Sequence, residues 1–281
     1  MNELALDNIA AFLLDRSRLS FAGHKRGILR HRLESRLSEL QLPDFRAYWR
    51  YLNSSADEGY NLFDLATTNE TSFFRNQAQF DYLHDSIIPE IECSAASEKR
   101  SMRILCAGCS TGEEPYSVAM TLLDALSCPE LWKLDIVAGD LSDSCLQVAR
   151  TGYYEHDKLA AIPPGYRDRF MTSDTSGASV NDQLKKIVRF ARLNLDDLMK
   201  SECPSWKFGL GSFDIIFCRN VMIYFAPSCQ QQLVDTLHRL LNPGGYLFTG
   251  DAEPLHLFRH DFLQVAEAGC LIYQKNGEIF Q

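Results

Sequence analysis

From about residue 100 onwards, the chain alternates short apolar runs with longer stretches of helical periodicity. The runs at 103–106 and 135–138 are each followed by a helical pattern. Alternation of this kind is typical of a parallel sheet covered by helices, because parallel neighbours need a long crossover connection. The pattern continues in further runs at 187–190, 213–217, 246–248 and 271–273. We therefore predict an α/β fold with a doubly wound, Rossmann-like sheet.

Two parts of the chain depart from this alternation. The segment 151–186 contains Ile162-Pro163-Pro164-Gly165 and a polar stretch, and we interpret it as an inserted sub-domain. The first ~75 residues carry three apolar stripes at helical spacing. The stripes consist of Leu6, Ile9, Leu13 and Leu14, of Leu29, Leu33, Leu37 and Leu40, and of Phe45, Tyr48, Trp49 and Leu52. We predict a helical domain at 1–75 and an α/β domain at 76–281.

The charge of the chain is negative but uneven. Its formal net charge is -9, which argues against a protein that mainly binds nucleic-acid phosphates. Residues 16–36, however, hold seven Lys or Arg and one acid, a net charge of +6 that leaves -15 for the rest. A cationic helix of this kind is either a solvated face or a docking surface for an acidic partner. The sequence alone leaves both open.

The cysteines and the apolar runs indicate a cytoplasmic protein. The nine cysteines are scattered and mostly lie in apolar runs, as reduced thiols do. The N-terminal residues lack the basic and apolar regions of a signal peptide. No apolar stretch approaches the roughly 20 residues that a membrane-spanning helix needs. We therefore expect a cytoplasmic chain without membrane insertion.

The first strong candidate site is the loop from Ala107 to Gly112, between the first apolar run and its helix. Ligands of doubly wound sheets lie at the carboxyl ends of the strands, where glycines let the backbone approach them. The loop lacks the G-x-G-x-x-G spacing of a phosphate cradle, and Glu113 and Glu114 would repel a pyrophosphate. S-adenosylmethionine fits better, because it carries an ammonium, a sulfonium and ribose hydroxyls but no phosphate. Asp140, at the end of the second run, is placed to accept the ribose hydroxyls.

Two plainer interpretations of this loop are open. It could be an ordinary tight turn whose acids begin a helix. Cys106 and Cys109 also have the C-x-x-C spacing of zinc and redox sites, but no further ligands stand nearby in the sequence. We therefore predict no metal site.

Two further polar segments extend the candidate site. Thr67-Thr68-Asn69-Glu70-Thr71-Ser72-Phe73-Phe74-Arg75 lies where the domains join, and Cys218-Arg219-Asn220-Val221-Met222-Ile223-Tyr224-Phe225 follows a buried run. Together with Ser110-Thr111-Gly112-Glu113-Glu114-Pro115-Tyr116-Ser117, they resemble motifs of the chemotaxis-receptor glutamate methyltransferases, usually called CheR. The resemblance covers nearly the whole chain in the same order. It implies a class I methyltransferase domain with a small β-subdomain insert at about 151–186, preceded by an all-α domain.

The resemblance implies a role for each matching residue. The cofactor S-adenosylmethionine, and its product S-adenosylhomocysteine, would be bound by Asn69, Thr71, Arg75, Gly108, Glu114, Asp140, Asn194, Leu195, Arg219 and Asn220. Arg75 and Tyr224 would orient the carboxylate of the substrate. The basic helix would dock on the cytoplasmic methylation helices of chemoreceptors through Arg26, Arg30, Arg32 and Arg36. The implied location is the cytoplasm, at receptor arrays, and we expect a monomer.

The residue types agree with methylation of a glutamate side chain. An unperturbed glutamate pKa of about 4.3 leaves the nucleophile ionised at neutral pH, so the reaction needs no general base. None of the seven His residues occurs in the motifs. The enzyme would contribute mainly alignment of the carboxylate with the methyl group, and a guanidinium such as that of Arg75 suits this task.

The chain departs from the family pattern at two places. Some members bind a pentapeptide tether at the receptor C-terminus through a glycine-rich loop. Here the corresponding segment 171–188 is short and offers only Gly177, so tether binding has little support. The family often has Gly-His-Ser-Glu near the fifth strand, and this chain has Gly250-Asp251-Ala252-Glu253, which leaves the role of that position open.

Three other functions compete with this interpretation. A nucleic-acid methyltransferase would usually show Asn-Pro-Pro-Tyr after the fourth strand and a basic face, neither of which the sequence offers. An adaptor that only senses S-adenosylmethionine at a receptor array would not need Arg75 and Tyr224. A methyltransferase for another protein carboxylate would use the same residues.

Overall fold

The N-terminal part of the chain is a bundle of four helices. The structure is a computed structural model and describes residues 2–55, 57–95, 100–200, 212–265 and 270–277. Within these ranges the bundle consists of α1 (Asn2–Ser17), α2 (Lys25–Glu39), α3 (Phe45–Ser54) and α4 (Glu58–Ala66). The Asp44 carboxylate accepts the N–H of Ala47 at 2.8 Å and so caps the start of α3. The predicted all-α domain is confirmed, with α4 in addition to the three predicted stripes.

The bundle has its own apolar core. Leu6, Ile9 and Leu13 of α1 are fully buried against α2 and α3. The expectation that Leu14 shares this face is wrong, since its exposed fraction is 39%. Each residue turns about 100° around a helix, which carries Leu14 away from the core behind Leu13.

The first half of the α/β part contains the two strands predicted first. A helix in three pieces, α5 (Gln77–Tyr82), a π-helical turn (Leu83–Ile87) and α6 (Ile88–Ser94), precedes them. The following elements are β1 (Ser101–Ala107), α7 (Glu113–Ala125), a 3-10 turn (Pro129–Leu131), β2 (Lys133–Asp140) and α8 (Asp143–Thr151). The Ser142 hydroxyl caps α8 by accepting the N–H of Cys145 at 3.1 Å, and Gly152 ends it with a φ of 64°.

The predicted insert is a separate small sheet with short helices. Its elements are β3 (Tyr153–Glu155), α9 (His156–Leu159), α10 (Pro164–Phe170), β4 (Met171–Ser173), β5 (Gly177–Val180) and α11 (Asp182–Ile187). The strands lie in the order β3-β5-β4, and both pairings are antiparallel. The β-subdomain expected from the resemblance is therefore present.

The second half of the α/β part completes the main sheet. Its elements are β6 (Val188–Arg192), α12 (Leu195–Met199), β7 (Phe213–Cys218), a 3-10 turn (Met222–Tyr224), α13 (Pro227–Leu240), β8 (Leu241–Thr249), a 3-10 turn (Leu255–Leu257), β9 (Phe262–Gln264) and β10 (Ile272–Lys275). α13 ends at Leu240, two residues before Asn242-Pro243-Gly244-Gly245, which are typical of a helix stop. β8 begins earlier than predicted, because Leu241 already pairs with Phe213. The register then shifts, since Tyr246 pairs with Ile215 and β8 therefore has more residues than β7 between the two pairs.

The seven strands of the main sheet lie in the order β6-β2-β1-β7-β8-β10-β9. Neighbours from β6 to β8 are parallel, and β10 is antiparallel to both β8 and β9. Side chains of β1 alternate between two apolar cores on opposite faces, as the two-residue period of a strand requires. The strand order reverses between β1 and β7. This switch point is where open α/β sheets bind ligands, and the predicted doubly wound, Rossmann-like sheet is confirmed.

Asp64 of α4 joins the helical bundle to the α/β part. Its carboxylate accepts the N–H groups of Asp143 and Ser144, at 3.0 and 3.2 Å, at the start of α8. Carboxylates stabilise this end of a helix because its first N–H groups lack partners within the helix. Beside this contact, the guanidinium of Arg192 lies 3.8 Å from the ring centroid of Tyr60.

Candidate active site

A cleft lies at the carboxyl ends of β1, β2 and β7, bounded on its other side by the helical bundle. The cleft brings together every residue predicted to bind the cofactor or orient the substrate, namely Asn69, Thr71, Arg75, Gly108, Glu114, Asp140, Asn194, Leu195, Arg219, Asn220 and Tyr224. Their individual roles stay predictions, but their convergence is a structural fact.

The loop between β1 and α7 forms the floor of the cleft. The N–H groups of Gly108 and Cys109 donate to the carbonyl of Gly139 at 2.8 and 2.9 Å, which ties the loop to the end of β2. Gly108 has a φ of +91°, and a Cβ there would lie 2.4 Å from Cγ2 of Val221. Only glycine satisfies both conditions. The loop therefore places bare backbone at the ligand surface.

Cys106 and Cys109 are fully buried beneath this loop. Burial is the main cause that raises the pKa of both thiols well above its usual value. Metal binding and redox chemistry both use the thiolate. The two cysteines are therefore core residues, and the C-x-x-C spacing does not mark the site.

Asp140 lies at the end of β2 with an exposed fraction of 8%. Its carboxylate accepts the N–H of Ser110 at 2.7 Å and the N–H of Ser142 at 2.9 Å. Burial raises the pKa of Asp140, and these backbone hydrogen bonds oppose the shift. The N–H of Leu141 contributes a further bond, and a carboxylate with about four lone-pair sites then still has acceptor capacity for a ligand hydroxyl.

Glu114 and Arg219 form an ion pair in the cleft, with Oε2 and Nη1 3.1 Å apart. Burial raises the pKa of Glu114, while the guanidinium of Arg219 acts in the opposite direction. Arg219 also donates to the carbonyl of Arg75. Its buried Nε has no acceptor among the described residues, so one donor is available to an acidic ligand group.

The junction segment 67–76 forms one wall of the cleft. Phe73 and Phe74 anchor it, since both are buried and Phe73 packs edge-on against Tyr154 with ring centroids 4.8 Å apart. The carbonyl of Asn69 accepts the Ser110 hydroxyl at 3.0 Å. Arg75 is exposed and donates to the carbonyl of Glu70 at 3.1 Å. The anchored backbone thus leaves the Arg75 guanidinium open to a substrate.

Lys158 of α9 links the β-subdomain to this wall. Its Nζ lies 3.3 Å from the carbonyl of Thr71 and 3.3 Å from a carboxylate oxygen of Glu113. Glu113 is fully buried and also accepts the Thr111 hydroxyl at 2.6 Å. The sequence offered no sign of this contact, because the partners lie more than forty residues apart and follow no spacing rule.

The loop after β7 forms the opposite wall. Asn220 has a φ of 59°, and its N–H donates to Oε2 of Glu253 at 2.6 Å. The other oxygen of Glu253 accepts the N–H of Ile223 at 3.1 Å. Glu253 is 3% exposed, so a single buried carboxylate holds the loop that carries Asn220 and Tyr224. No role was predicted for Glu253 from the sequence, although it follows a strand that ends at the same edge of the sheet.

Asp251 occupies the position where the family often has histidine. Its carboxylate accepts the side-chain amide of Asn76 at 2.6 Å. This contact joins the segment after β8 to the junction segment. The departure from the family pattern thus coincides with a link between two walls of the cleft.

The side-chain polar groups of Asn194 mainly stabilise the fold. Its amide donates to the carbonyl of Arg16 at 2.6 Å, and its oxygen accepts the N–H of Asp196 at 3.1 Å as the cap of α12. Leu195 is buried beside it. Both residues line the cleft, but the side-chain polar groups of Asn194 already have protein partners.

The four arginines predicted to dock on a partner all have contacts within the chain. Arg26 pairs with Glu3 and Asp7, and Arg30 pairs with Glu3 at 2.7 Å. Arg32 binds backbone carbonyls at the end of α4, and Arg36 pairs with the buried Glu58 at 2.7 Å. Docking through these residues stays a prediction.

In the described part of the chain, no helix is both long and apolar enough to cross a bilayer.

Two family models together match most of the chain. Residues 4–67 match the model described as CheR methyltransferase, all-alpha domain, and residues 69–269 match CheR methyltransferase, SAM binding domain. The second description names S-adenosylmethionine, the cofactor predicted from the loop at 107–112. The two matched ranges meet near the C-terminal end of α4.

Curated relatives share this similarity over 62–82% of their own length. The chemotaxis protein methyltransferase of Escherichia coli K12 is 37% identical over 87% of this chain and 82% of its own. That of Borreliella burgdorferi is 36% identical over 79% and 80%. The probable biofilm formation methyltransferase WspC of Pseudomonas aeruginosa is 31% identical over 97% of this chain and 62% of its own.

Proposed function

Since the chain belongs to the CheR methyltransferase family, we propose that it methylates glutamate side chains of membrane chemoreceptors. The products would be glutamyl methyl esters and S-adenosylhomocysteine. The substrate residues would lie on the cytoplasmic methylation helices, and the protein would act in the cytoplasm at receptor arrays. Each transfer removes one negative charge from the receptor, which is the adaptation signal in this proposal.

The donor groups of the cleft fit S-adenosylmethionine. The Glu114 carboxylate is available to the ammonium group, and the free Nε donor of Arg219 is available to the carboxylate. Asp140 has lone pairs for the ribose hydroxyls. The glycine loop supplies bare backbone and carries acids instead of a phosphate cradle. These four features match an amino acid joined to a nucleoside.

When bound, this cofactor would supply a methyl group on a sulfonium: an oxygen of the substrate carboxylate would form a bond to the methyl carbon while the electron pair of the S–CH3 bond returns to sulfur. Arg75 and Tyr224 would orient the attacking carboxylate. Arg75 suits this task because it is exposed at the cleft and its guanidinium is held by the carbonyl of Glu70. Alignment of this kind is worth up to about 7–11 kcal/mol in well-oriented systems.

The observation that carries the proposal is the combination of residue types in one cleft. The described part of the lining joins the Glu114–Arg219 pair to Arg75 and Tyr224, and it contains no histidine. An ionised carboxylate needs a positioned cation and no general base. Amine and hydroxyl nucleophiles usually need a base, and the cleft acids Glu114 and Asp140 are already bonded to Arg219 and to backbone N–H groups. The exposed guanidinium of Arg75 therefore favours a carboxylate substrate.

The test is to incubate the protein with methyl-labelled S-adenosylmethionine and receptor-containing membranes. Base-labile label that is released as methanol, and that disappears when the receptor glutamates are replaced by alanine, would support the proposal. Label on a soluble protein carboxylate or on RNA would show that the substrate is not the receptor. Tight cofactor binding with no transfer would favour an adaptor. Arg75→Ala is expected to abolish transfer with an unchanged melting temperature.

A further inference from the structure

Helix α2 carries two cations that point to the cleft from the same side of the helix. Lys25 and Arg32 are seven residues apart, which is about two helical turns, so they share one face. Both side chains reach backbone carbonyls of segments that line the cleft. Both contacts lie within the chain, although Arg32 is also one of the four arginines predicted to dock on the receptor.

Lys25 holds the wall that carries Tyr224. Its Nζ donates to the carbonyl of Ile223 at 2.7 Å and lies 5.7 Å from the centroid of the Tyr224 ring. The chain just before α2 pairs with the same wall, because the N–H of Ser20 donates to the carbonyl of Tyr224 at 2.9 Å. Leu19 and Phe225 also form an isolated β-bridge. The turn that presents Tyr224 is therefore fixed from the helical bundle.

Arg32 holds the wall that carries Asn69 and Thr71. Its Nη1 lies within 2.7 to 3.1 Å of three successive carbonyls at the end of α4, and its Nη2 donates to the Thr68 hydroxyl at 2.8 Å. The last carbonyls of a helix lack partners within the helix, and a cation there satisfies them. The chain from Ala66 to Asn69 lines the cleft. Arg32 thus fixes the entry of the junction segment.

We propose that α2 is a brace between the two walls of the active site, in which Arg32 positions the cofactor side and Lys25 positions the substrate side. The part that concerns Lys25 rests on the proposed function, whereas the part that concerns Arg32 requires only cofactor binding. Both are positioning residues, since they act through the backbone of other residues. The brace also gives α2 a role apart from any contact with a receptor.

The experiment compares Arg32→Met and Lys25→Met in the full chain. Arg32→Met is expected to weaken S-adenosylhomocysteine binding, measured by calorimetry without receptor, by on the order of tenfold. Lys25→Met is expected to leave that affinity within about twofold but to lower kcat/KM for receptor methylation by on the order of 10- to 100-fold. Arg32→Lys should restore part of the affinity, because an ammonium still reaches a carbonyl. Arg50→Met, an exposed arginine of α3, is the matched control.

Amide hydrogen exchange gives a readout that does not depend on activity. Exchange should rise in the segment 67–75 for Arg32→Met and in the segment 219–226 for Lys25→Met. Neither variant should raise exchange in the segment that belongs to the other. Equal loss of cofactor affinity in both variants, or exchange that rises throughout the bundle, would overturn the brace in favour of a general folding role. Unchanged binding and exchange in Arg32→Met would also overturn it. Wild-type protein that binds cofactor but does not methylate receptors would defeat only the proposed function.

Discussion

Nη1 of Arg219 lies 3.1 Å from Oε2 of Glu114, and the two side chains are only 3% and 12% exposed. Glu114 lies in the first turn of α7 and Arg219 directly follows β7, 105 positions later, so the two meet at the switch point of the sheet. A buried ion pair costs desolvation on both sides, so it contributes little net stability by itself. Removal of one partner, however, leaves the other charge uncompensated.

Arg219→Met is expected to abolish measurable cofactor binding and to destabilise the fold by about 3–5 kcal/mol, because Glu114 would remain buried without its partner. Calorimetry with S-adenosylhomocysteine and urea unfolding measure the two effects. Arg189→Met is the control, since Arg189 forms a half-exposed pair with Asp135 and such pairs contribute about 0–1 kcal/mol. Equal losses in both variants would contradict a special role for the buried pair.

The affinity for S-adenosylhomocysteine should decrease as the pH is lowered through the range in which Glu114 becomes protonated. The charged carboxylate attracts the ligand ammonium and the protonated form does not. Burial raises the pKa of Glu114 above its usual 4.5, so protonation and the loss of affinity begin at a higher pH than for an exposed glutamate. Titration calorimetry between pH 8 and pH 5 measures the slope. Glu114→Gln should bind weakly and without this dependence; an unchanged slope would assign the titration to another group.

Arg36→Met should destabilise the helical bundle by about 3–5 kcal/mol, because it removes the partner of a buried acid. Glu58 is 1% exposed and accepts hydrogen bonds from Arg36, Tyr48 and Asn61. Burial alone would raise the pKa of Glu58, but these bonds lower it below its usual value. The pair's stabilisation is therefore present above the unfolded pKa and is lost as pH falls through the folded one.

Urea unfolding at neutral and acid pH checks the Arg36 prediction. The difference between wild type and Arg36→Met should shrink at low pH, when Glu58 is protonated in both. Arg46→Met, an exposed change on α3, should stay within about 0.5 kcal/mol of wild type. An Arg36→Met variant that keeps full stability but loses receptor methylation would support the predicted role of Arg36 in receptor docking instead.

Lys158→Met should weaken cofactor binding several-fold by releasing the wall at Thr71 and leaving the buried Glu113 without its cation. Hydrogen bonds to charged groups contribute roughly 1.5–3 kcal/mol, so a loss of at least this order in stability is expected as well. Lys186→Met removes an exposed lysine of the same insert and is the control. If both variants bind alike, the β-subdomain is not coupled to the cleft through Lys158.

Gly108→Ala should lower cofactor affinity by at least about tenfold, because its Cβ would meet Val221 and a positive φ costs about 1–2 kcal/mol for alanine. Calorimetry on Gly108→Ala, Val221→Ala and the double variant forms a cycle. The double variant should recover the steric part of the loss and keep the backbone part. Strict additivity of the two changes would exclude the contact with Val221 as the cause.

The convergence of the predicted site residues could be read from the sequence, because parallel strands end at one edge of a sheet. Gly108, Asp140 and Asn220 follow that logic, because each lies at or just after the end of a parallel strand. Asn69 follows α4 and does not. The family pattern supplied the roles that topology could not. Helix ends were also accessible, since Gly152 and Asn242-Pro243-Gly244-Gly245 stop helices through local chemistry.

The partners of polar side chains were not accessible in the same way. Nothing in the spacing indicates that the Asn194 amide reaches Arg16, or that Glu253 binds the loop after β7. The basic helix was interpreted from its charge, but pairing depends on which acids and carbonyls the fold brings near, as with Glu58 and Arg36. Such contacts are non-local and have no periodicity to reveal them.

The bond from Asp64 to the first N–H groups of α8 has a consequence for the order of synthesis. Domains tend to fold as they leave the ribosome, N-terminal part first. The carboxylate that caps α8 is therefore already presented by a folded bundle when residues 143 and 144 emerge. In a circular permutant that begins at residue 76, α8 would be synthesised before Asp64, whose carboxylate binds its first N–H groups. The α/β part would then emerge without a folded helical bundle to pack against.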